Sequence, residues 1–135
     1  MITKCKIKTL FIDDDRGTNF LNKHIAKSSD SIVSIHLMHS GFEALTFLEK
    51  CLNDSSEKPN LIFLDINMPA MNGWEFLEQF YKLNEDLVNE IKVVILSSSD
   101  DPKDLNRFES NKRLLDFVRK PLNREALDSV LAKVG

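Results

Sequence analysis

Carboxylate, hydroxyl and amine side chains each follow a short apolar run in this sequence. Three consecutive aspartates, Asp13 to Asp15, end one run, Asp65 ends a second, Ser97 ends a third, and Lys120 follows a shorter segment. If these side chains meet, the carboxylates repel one another and favour a divalent cation with oxygen ligands, Mg²⁺ before Ca²⁺. The hydroxyl and the amine suit the outer oxygens of a phosphoryl group. The set therefore predicts phosphoryl transfer with a carboxylate as the nucleophile.

The apolar runs are predicted to be strands of one sheet. Leu10–Ile12, Leu61–Leu64 and Val93–Leu96 lack alternation, which is typical of strands buried on both faces. Ile32–Met38 alternates between apolar and polar residues, as expected at the edge of a sheet, and Leu114–Val118 is a short fifth strand. These segments bring the chemical side chains to the strand ends.

Helical patterns lie between the strands. Apolar residues recur at helical spacing in four stretches, and Asp101 followed by Pro102 marks the start of a weaker helix. Asn123 is a similar N-cap for the last helix. The aromatic residues on these helices are expected in the core: Phe20, Phe42, Phe47, Phe76 and Phe80.

Alternating strands and helices predict the class of fold. Five strands and five helices in alternation are typical of a parallel sheet covered on both faces, and right-handed crossovers restrict it to a few doubly wound orders. In such a sheet all strands point the same way, so their carboxyl ends share one edge, where ligands bind. We therefore expect the aspartates, Ser97 and Lys120 to converge there.

Composition limits the class of protein. A chain of 135 residues with 42% hydrophobic and 29% charged residues is ordinary for one soluble domain, expected to span residues 1–135. A net charge of −3 gives no support to a nucleic-acid or anionic-membrane partner, and no apolar stretch approaches the roughly 20 residues of a membrane span. Cys5 and Cys51 are too few for a disulfide framework or a four-cysteine zinc site, which indicates a reducing, cytoplasmic location.

These motifs resemble the receiver domain of two-component response regulators. The resemblance runs from Ile7 to Leu131 and is carried by four segments: Leu10–Asp15, Leu61–Pro69 with Met71–Gly73, Val93–Ser97 and Phe117–Pro121. The Asp-Ile-Asn-Met-Pro-x-Met-Asn-Gly stretch is the most specific of them. The resemblance implies a flavodoxin-like α/β fold, in which a five-stranded parallel sheet of order 2-1-3-4-5 is covered by five helices.

The resemblance also implies a phosphoacceptor and a metal site. Asp65 would accept a phosphoryl group from a phosphohistidine of a histidine kinase or a histidine phosphotransfer protein. Asp14 would bind Mg²⁺ directly, Asp13 largely through a water molecule, and Asp65 and the backbone carbonyl of Asn67 would be further ligands. The chain would be a signalling phosphoprotein, with no enzyme activity beyond its own phosphorylation and dephosphorylation.

The remaining site residues would hold the phosphoryl group and respond to it. Ser97 would bond to one phosphoryl oxygen and Lys120 would pair with another, aimed by a cis bond to Pro121. After phosphorylation Ser97 would move inward, and Phe117 would fill the vacated space. Gly73 would shape the loop over the phosphoacceptor.

Two features depart from the usual family pattern. Ser97 stands where threonine is commoner, and Phe117 stands where tyrosine is frequent, so an output contact through a phenolic hydroxyl is lost. The predicted loops Asn53–Asn60 and Leu83–Glu90 are long for the family. The surface around the fifth strand is therefore the part that the resemblance describes least well.

A phosphohydrolase is the chief alternative. Asp13–Asp15 also resembles the Asp-x-Asp motif of haloacid-dehalogenase-type phosphohydrolases, which use Mg²⁺, a hydroxyl and a lysine. Gly17 stands where that motif has Thr or Val, and Asp100 with Asp101 follows Ser97 too closely to supply its acidic pair. That alternative places the phosphoryl group on Asp13 instead of Asp65.

Within the receiver interpretation the route of output stays open. The phosphorylated chain would bind a downstream protein or pass its phosphoryl group to a second histidine phosphotransfer protein. The complete site set argues against a scaffold that works without phosphate, and homodimer formation stays open. Because no effector module follows the family segment that ends near Leu131, we expect the output to pass through another protein.

Overall fold

Five parallel strands form the centre of the fold. They are β1 (Ile7–Ile12), β2 (Ile32–Met38), β3 (Leu61–Leu64), β4 (Lys92–Ser97) and β5 (Leu114–Arg119). The strands lie in the order β2-β1-β3-β4-β5, which confirms the predicted flavodoxin-like, doubly wound sheet. The computed structural model describes residues 6–134, so the predictions on Cys5 and the N-terminal segment lie outside the described residues.

Six helices, one more than predicted, connect and cover the described strands. They are α1 (Arg16–Lys27), α2 (Gly41–Cys51), α3 (Gly73–Phe80), α4 (Glu85–Glu90), α5 (Pro102–Ser110) and α6 (Arg124–Val134). The additional helix, α4, lies in the segment that was predicted to be a long loop. It forms because the Asn84 side chain caps it, accepting a hydrogen bond from the Leu87 N–H at 3.0 Å, and because Leu87 and Val88 are buried. The other long loop contains a single 3₁₀ turn, Ser55–Glu57.

The helices cover the two faces of the sheet in separate layers. The core against α2, α3 and α4 contains Leu10, Ile12 and Leu64, whereas the core against α1 and α6 contains Phe11 and Phe63. The rings of Phe11 and Phe63 stack with centroids 4.6 Å apart. Successive residues of one strand therefore face opposite layers, and burial on both faces explains the unbroken apolar runs. Within residues 6–134, no helix is both long enough and apolar enough to cross a membrane.

Strand β2 is an edge strand, as its alternation predicted. It pairs with β1, and none of its residues is fully buried. The register shifts after the first pair, so that Ile7 lies opposite Ile32 and Lys8 lies opposite Ser34. Val33 is the extra residue in this bulge, and its side chain is exposed instead of sharing the face of the later apolar residues.

Two of the five aromatic residues predicted for the core are exposed. Phe76 and Phe80 are buried and Phe47 packs against the core, but Phe20 and Phe42 are 68% and 55% exposed. On α1 the side that faces the sheet carries buried Asn19, Asn22 and Ala26 instead. On α2 the buried face begins at Gly41 and continues through Ala44, Leu48 and Cys51, which leaves Phe42 off it.

Gly73 allows α3 to start directly against the loop after β3. A Cβ atom here would lie 2.5 Å from the backbone oxygen of Asp65 and 2.9 Å from the Cα of Ile66. Because backbone atoms cannot rotate away, we expect Gly73→Ala to lower the free energy of unfolding by about 1–3 kcal/mol, measured by urea denaturation. Gly17→Ala is the matched control, since its Cβ would meet the Asp15 carboxylate at an ordinary 3.4 Å. Wild-type stability of Gly73→Ala would contradict the prediction.

Candidate functional site

The predicted site residues lie together at the carboxyl ends of four strands, which are β1, β3, β4 and β5. Ile12 lies opposite Leu64 in the β1–β3 pair, and Leu64 lies opposite Ile95 in the β3–β4 pair. The Asp65 N–H donates to the Ile12 carbonyl at 2.9 Å, which places Asp65 beside Asp13. Ser97 ends the neighbouring strand β4. The predicted convergence of residues that are distant in sequence is therefore present.

Three carboxylates meet at this edge. Asp13, Asp14 and Asp65 each offer an oxygen atom, and these oxygens all lie within 4.8 Å of one another. Asp13 and Asp65 are buried, with 3% and 6% of their surface exposed, whereas Asp14 is exposed to solvent. Two buried carboxylates and one exposed carboxylate form an oxygen-rich cluster that is open on one side.

The third aspartate of the first motif has a separate role. Asp15 is the N-cap of α1, and its carboxylate accepts hydrogen bonds from the Gly17 N–H at 3.0 Å and the Thr18 hydroxyl at 2.9 Å. The hydrogen bonds from Thr18 and Gly17 lower the pKa of Asp15 below its ordinary value. Asp15 therefore starts the helix and does not join the cluster.

Lys120 links the two buried carboxylates. Its Nζ lies 2.6 Å from Asp13 Oδ2 and 3.2 Å from Asp65 Oδ1. The Lys120–Pro121 bond is cis, as predicted, and the Lys120 N–H donates to the Ser97 carbonyl at 3.0 Å. Burial lowers the pKa of Lys120, but the hydrogen bond to Asp13 and the charges of Asp65 and Asp13 outweigh it and raise the pKa overall. Lys120 is thus held as an ammonium ion.

Asp65 has the most perturbed carboxyl group of the site. Burial raises its pKa first, and the neighbouring charge of Asp13 raises it further. Lys120 opposes both effects, and the result is a pKa of about 6. Asp65 is therefore mostly ionised at neutral pH.

Asn19 is a buried supporting residue that the sequence interpretation missed. Its side-chain amide donates to the backbone carbonyls of Asp13 at 3.0 Å and Met38 at 3.1 Å. These bonds tie the end of β1 to the end of β2 and fix the segment that carries the carboxylates. The signal in the sequence was a pair of asparagines, Asn19 and Asn22, which lie one helical turn apart on α1. The interpretation instead placed the apolar residues of α1, some of which are exposed, on the buried face.

Ser97 and Phe117 lie on the two strands beside the acidic cluster. Ser97 is fully buried, and its Oγ accepts a hydrogen bond from the Ser99 N–H at 3.0 Å. Phe117 is half-buried and packs edge-on against Phe108, with ring centroids 5.6 Å apart. Asn67 lies exposed in the loop after β3, two residues beyond Asp65.

Comparisons with known sequences extend over most of the chain. The sequence profile of the response regulator receiver domain family matches residues 9–132. The response regulator Rcp1 of Synechocystis sp. is 32% identical over 97 residues, which cover 71% of this chain and 65% of Rcp1. A protein-glutamate methylesterase/protein-glutamine glutaminase of Methanococcus maripaludis is 28% identical over 130 residues, covering 96% of this chain. The chain spans about two-thirds of Rcp1 and 32% of the methylesterase.

Solved structures agree with the sequence comparisons. The crystal structure of a two-component response regulator from Cytophaga hutchinsonii has a TM-score of 0.88 and 35% identity, and the match covers 98% of each chain. The Mn²⁺-bound form of Rcp1 has a TM-score of 0.71 and 26% identity, with 93% of this chain and 90% of Rcp1 covered. The profile match, the relatives and the shared fold show that this chain belongs to the response regulator receiver domain family of two-component signalling.

Proposed function

We propose that this receiver domain accepts a phosphoryl group on Asp65 from a phosphohistidine of a partner histidine kinase or histidine phosphotransfer protein. The observation that carries the proposal is the position of the Lys120 ammonium, 3.2 Å from Asp65 and 2.6 Å from Asp13, at an edge that holds three carboxylates. Asp65 is buried, mostly ionised at neutral pH and close to the cation, whereas both oxygens of Asp13 already accept hydrogen bonds, from Lys120 and the Asp15 N–H. The cysteine content supports a cytoplasmic location for this exchange.

The transfer is a displacement at phosphorus. A carboxylate oxygen of Asp65 attacks the phosphorus atom as the bond between phosphorus and the imidazole nitrogen breaks. The electron pair of that bond stays on the nitrogen, which the solvent protonates if required, and Asp65 becomes an acyl phosphate. Lys120 pairs with a phosphoryl oxygen and offsets its charge, and the Ser97 hydroxyl donates to another oxygen.

The acidic cluster fits Mg²⁺. Its donors are carboxylate oxygens, which hard divalent cations prefer, and one side of the cluster is open for water and phosphoryl ligands. Asp14, Asp65 and the carbonyl of Asn67 would hold the ion. Asp13 would act largely through water, since its Oδ2 already accepts from Lys120 and its Oδ1 accepts from the Asp15 N–H at 2.9 Å. When bound, Mg²⁺ supplies positive charge that offsets the charge of the carboxylates and the phosphoryl group. Rcp1 has been solved with Mn²⁺ bound, which supports a divalent cation here.

The phosphorylated state changes the surface around β5. The Ser97 oxygen already accepts a hydrogen bond from Ser99, so its hydrogen is free to donate to a phosphoryl oxygen. That attraction draws Ser97 toward Asp65, and Phe117 moves from its edge-on contact with Phe108 into the vacated space. A partner protein then binds the altered face of α5 and β5, or a histidine phosphotransfer protein accepts the phosphoryl group from Asp65.

Phosphorylation by a small donor tests the acceptor. Incubation with acetyl phosphate and Mg²⁺ is expected to add one phosphoryl group, measured by intact mass, because Asp65 needs only a reactive phosphorus atom and charge neutralisation. Asp65→Asn and the wild type in EDTA should gain none, while Asp54→Asn, an exposed aspartate in the turn after α2, should gain one as the wild type does. A phosphoryl group mapped to Asp13 would contradict the proposal and favour the phosphohydrolase alternative.

The raised pKa of Asp65 predicts how the free energy of unfolding varies with pH in metal-free buffer. The pKa of Asp65 is about 6 in the fold, against about 3.9 in an unfolded chain. Because the folded-state pKa is the higher one, ionisation costs stability as the pH rises from about 4 to about 6. Asp65→Asn should lose this decline and be more stable than the wild type at about pH 7.

The measurement is urea denaturation across that pH range in EDTA. Glu78→Gln, which removes an exposed carboxylate on α3, is the matched control and should follow the wild type. Added Mg²⁺ should stabilise the wild type more than Asp65→Asn. Parallel pH curves for the wild type and Asp65→Asn would show that Asp65 is not the perturbed group.

NMR spectra with and without beryllofluoride, a phosphate mimic, test the switch. We expect large changes at the backbone amides of Ser97 and Phe117, because both residues change position. In Ser97→Ala the amide signals of the loop around Asp65 should still shift when beryllofluoride is added, but the shift of the Phe117 amide signal should be lost. Unchanged signals at both residues in the wild type would rule out this switch.

A further inference from the structure

Asp104 on α5 joins two other parts of the fold. One carboxylate oxygen accepts a hydrogen bond from the indole Nε1–H of Trp74 at 2.9 Å. The other accepts from the hydroxyl of Ser99 at 2.6 Å. Trp74 belongs to the start of α3 and is 8% exposed, and Ser99 belongs to the loop after β4. The Asp104 side chain therefore bridges α3 and this loop.

The Ser99 end of this bridge leads directly to the proposed switch residue. The Ser99 N–H donates to Ser97 Oγ at 3.0 Å, while the Ser99 hydroxyl oxygen accepts from the Asp101 N–H at 3.2 Å. A continuous chain of hydrogen bonds thus runs from Ser97 through Ser99 and Asp104 to Trp74. Movement of Ser97 toward Asp65 would displace Ser99 through the first of these hydrogen bonds, which joins the Ser99 N–H to Ser97 Oγ.

Helix α5 depends on few contacts for its position. None of its nine residues is buried, and Leu105 is 47% exposed. Besides the Asp104 bond, the Arg107 guanidinium carbon lies 5.6 Å from the centre of the Trp74 ring, so two residues one turn apart hold the same indole. Phe108 supplies the second attachment through its contact with Phe117. A helix attached in this way is able to move when its contacts change.

A role in starting the helix does not explain these contacts of Asp104. Asp101 already caps α5, with its carboxylate accepting from the Lys103 N–H at 3.0 Å. An acidic residue in the first turn needs no partner on another element to interact with the helix dipole. Two hydrogen bonds to its carboxylate oxygens, from residues of two other elements, hold the side chain of Asp104 in one orientation instead.

We propose that Asp104 is a positioning residue that couples Ser97 to Trp74 and α5. The inference rests on the proposed phosphorylation of Asp65. When the phosphoryl group draws Ser97 inward, Ser99 follows because it is bonded to Ser97, and the hydrogen bond from Ser99 to Asp104 breaks. Asp104 and Arg107 then shift against the indole, and α5 is released from its resting position. The bond favours the resting loop, so removing it favours the phosphorylated arrangement.

Trp74 makes this coupling measurable, since it is the sole tryptophan of the chain. Titration of the wild type with beryllofluoride in Mg²⁺ is expected to change the Trp74 fluorescence emission. In Ser99→Ala the change should fall to less than half, because the link to Asp104 is gone. The same variant should bind beryllofluoride about 2- to 10-fold more tightly by calorimetry, the effect of one lost hydrogen bond that opposes binding.

Ser98→Ala is the matched control, because Ser98 is an exposed serine of the same loop. It should match the wild type in both the fluorescence change and the affinity. Ser99→Thr, which keeps the hydroxyl group, should restore the fluorescence change. A structural role alone would not move the fluorescence and the affinity in these opposite directions.

The outcomes separate this inference from the proposed function. If intact mass shows phosphorylation by acetyl phosphate but the Trp74 emission stays constant, the coupling is wrong and the phosphoacceptor stands. A fluorescence change of wild-type size in Ser99→Ala, with unchanged affinity, overturns the coupling as well. A chain that gains no phosphoryl group overturns the proposed function and, with it, this inference.

Discussion

The ion pair between the Lys120 ammonium and two buried carboxylates is the interaction on which the site depends. Burying Asp65 beside Asp13 is unfavourable, since desolvation and the neighbouring charge of Asp13 both oppose the ionisation of Asp65. Lys120 limits this effect, and Asp65 keeps a pKa of about 6. Without Lys120 the pKa of Asp65 would be higher, because the charge of Lys120 and its hydrogen bond are the influences that lower it. The geometry keeps Asp65 ionised and close to a charge that can also meet a phosphoryl oxygen.

The strands position the carboxylates of this ion pair, whereas the region around β4, β5 and α5 contains the residues proposed to respond to phosphorylation. Asp13 and Asp65 follow adjacent strands joined by the hydrogen bond from Asp65 N–H to Ile12, so their spacing is set by the sheet. Ser97 and Phe117 lie on the β4–β5 side, where α5 has no buried residue. The sheet therefore fixes the carboxylates, and the residues proposed to switch lie beside a helix that has no buried residue.

Much of this arrangement could be predicted because its signals are local. Unbroken apolar runs identified the buried strands, and a polar residue directly after each run identified the site. Helix α4 could not be predicted in the same way, because its six residues are too few for a periodic pattern and its stability comes from the Asn84 cap and two buried side chains. Phe20 was wrongly predicted to lie in the core and Asn19 was missed for a different reason: the hydrogen bonds of Asn19 to backbone carbonyls outweigh apolarity on that face of α1. The bridge through Asp104 joins residues 30 positions apart, and no sequence pattern marks it.

The bond between Lys120 and Asp13 joins residues 107 positions apart in the sequence. During synthesis the three carboxylates leave the ribosome long before Lys120, which follows the last strand. A nascent chain that ends within β4 has the acidic residues without the ammonium group that pairs with two of them. The ion pairs of the site can therefore form only after β5 and Lys120 have left the ribosome.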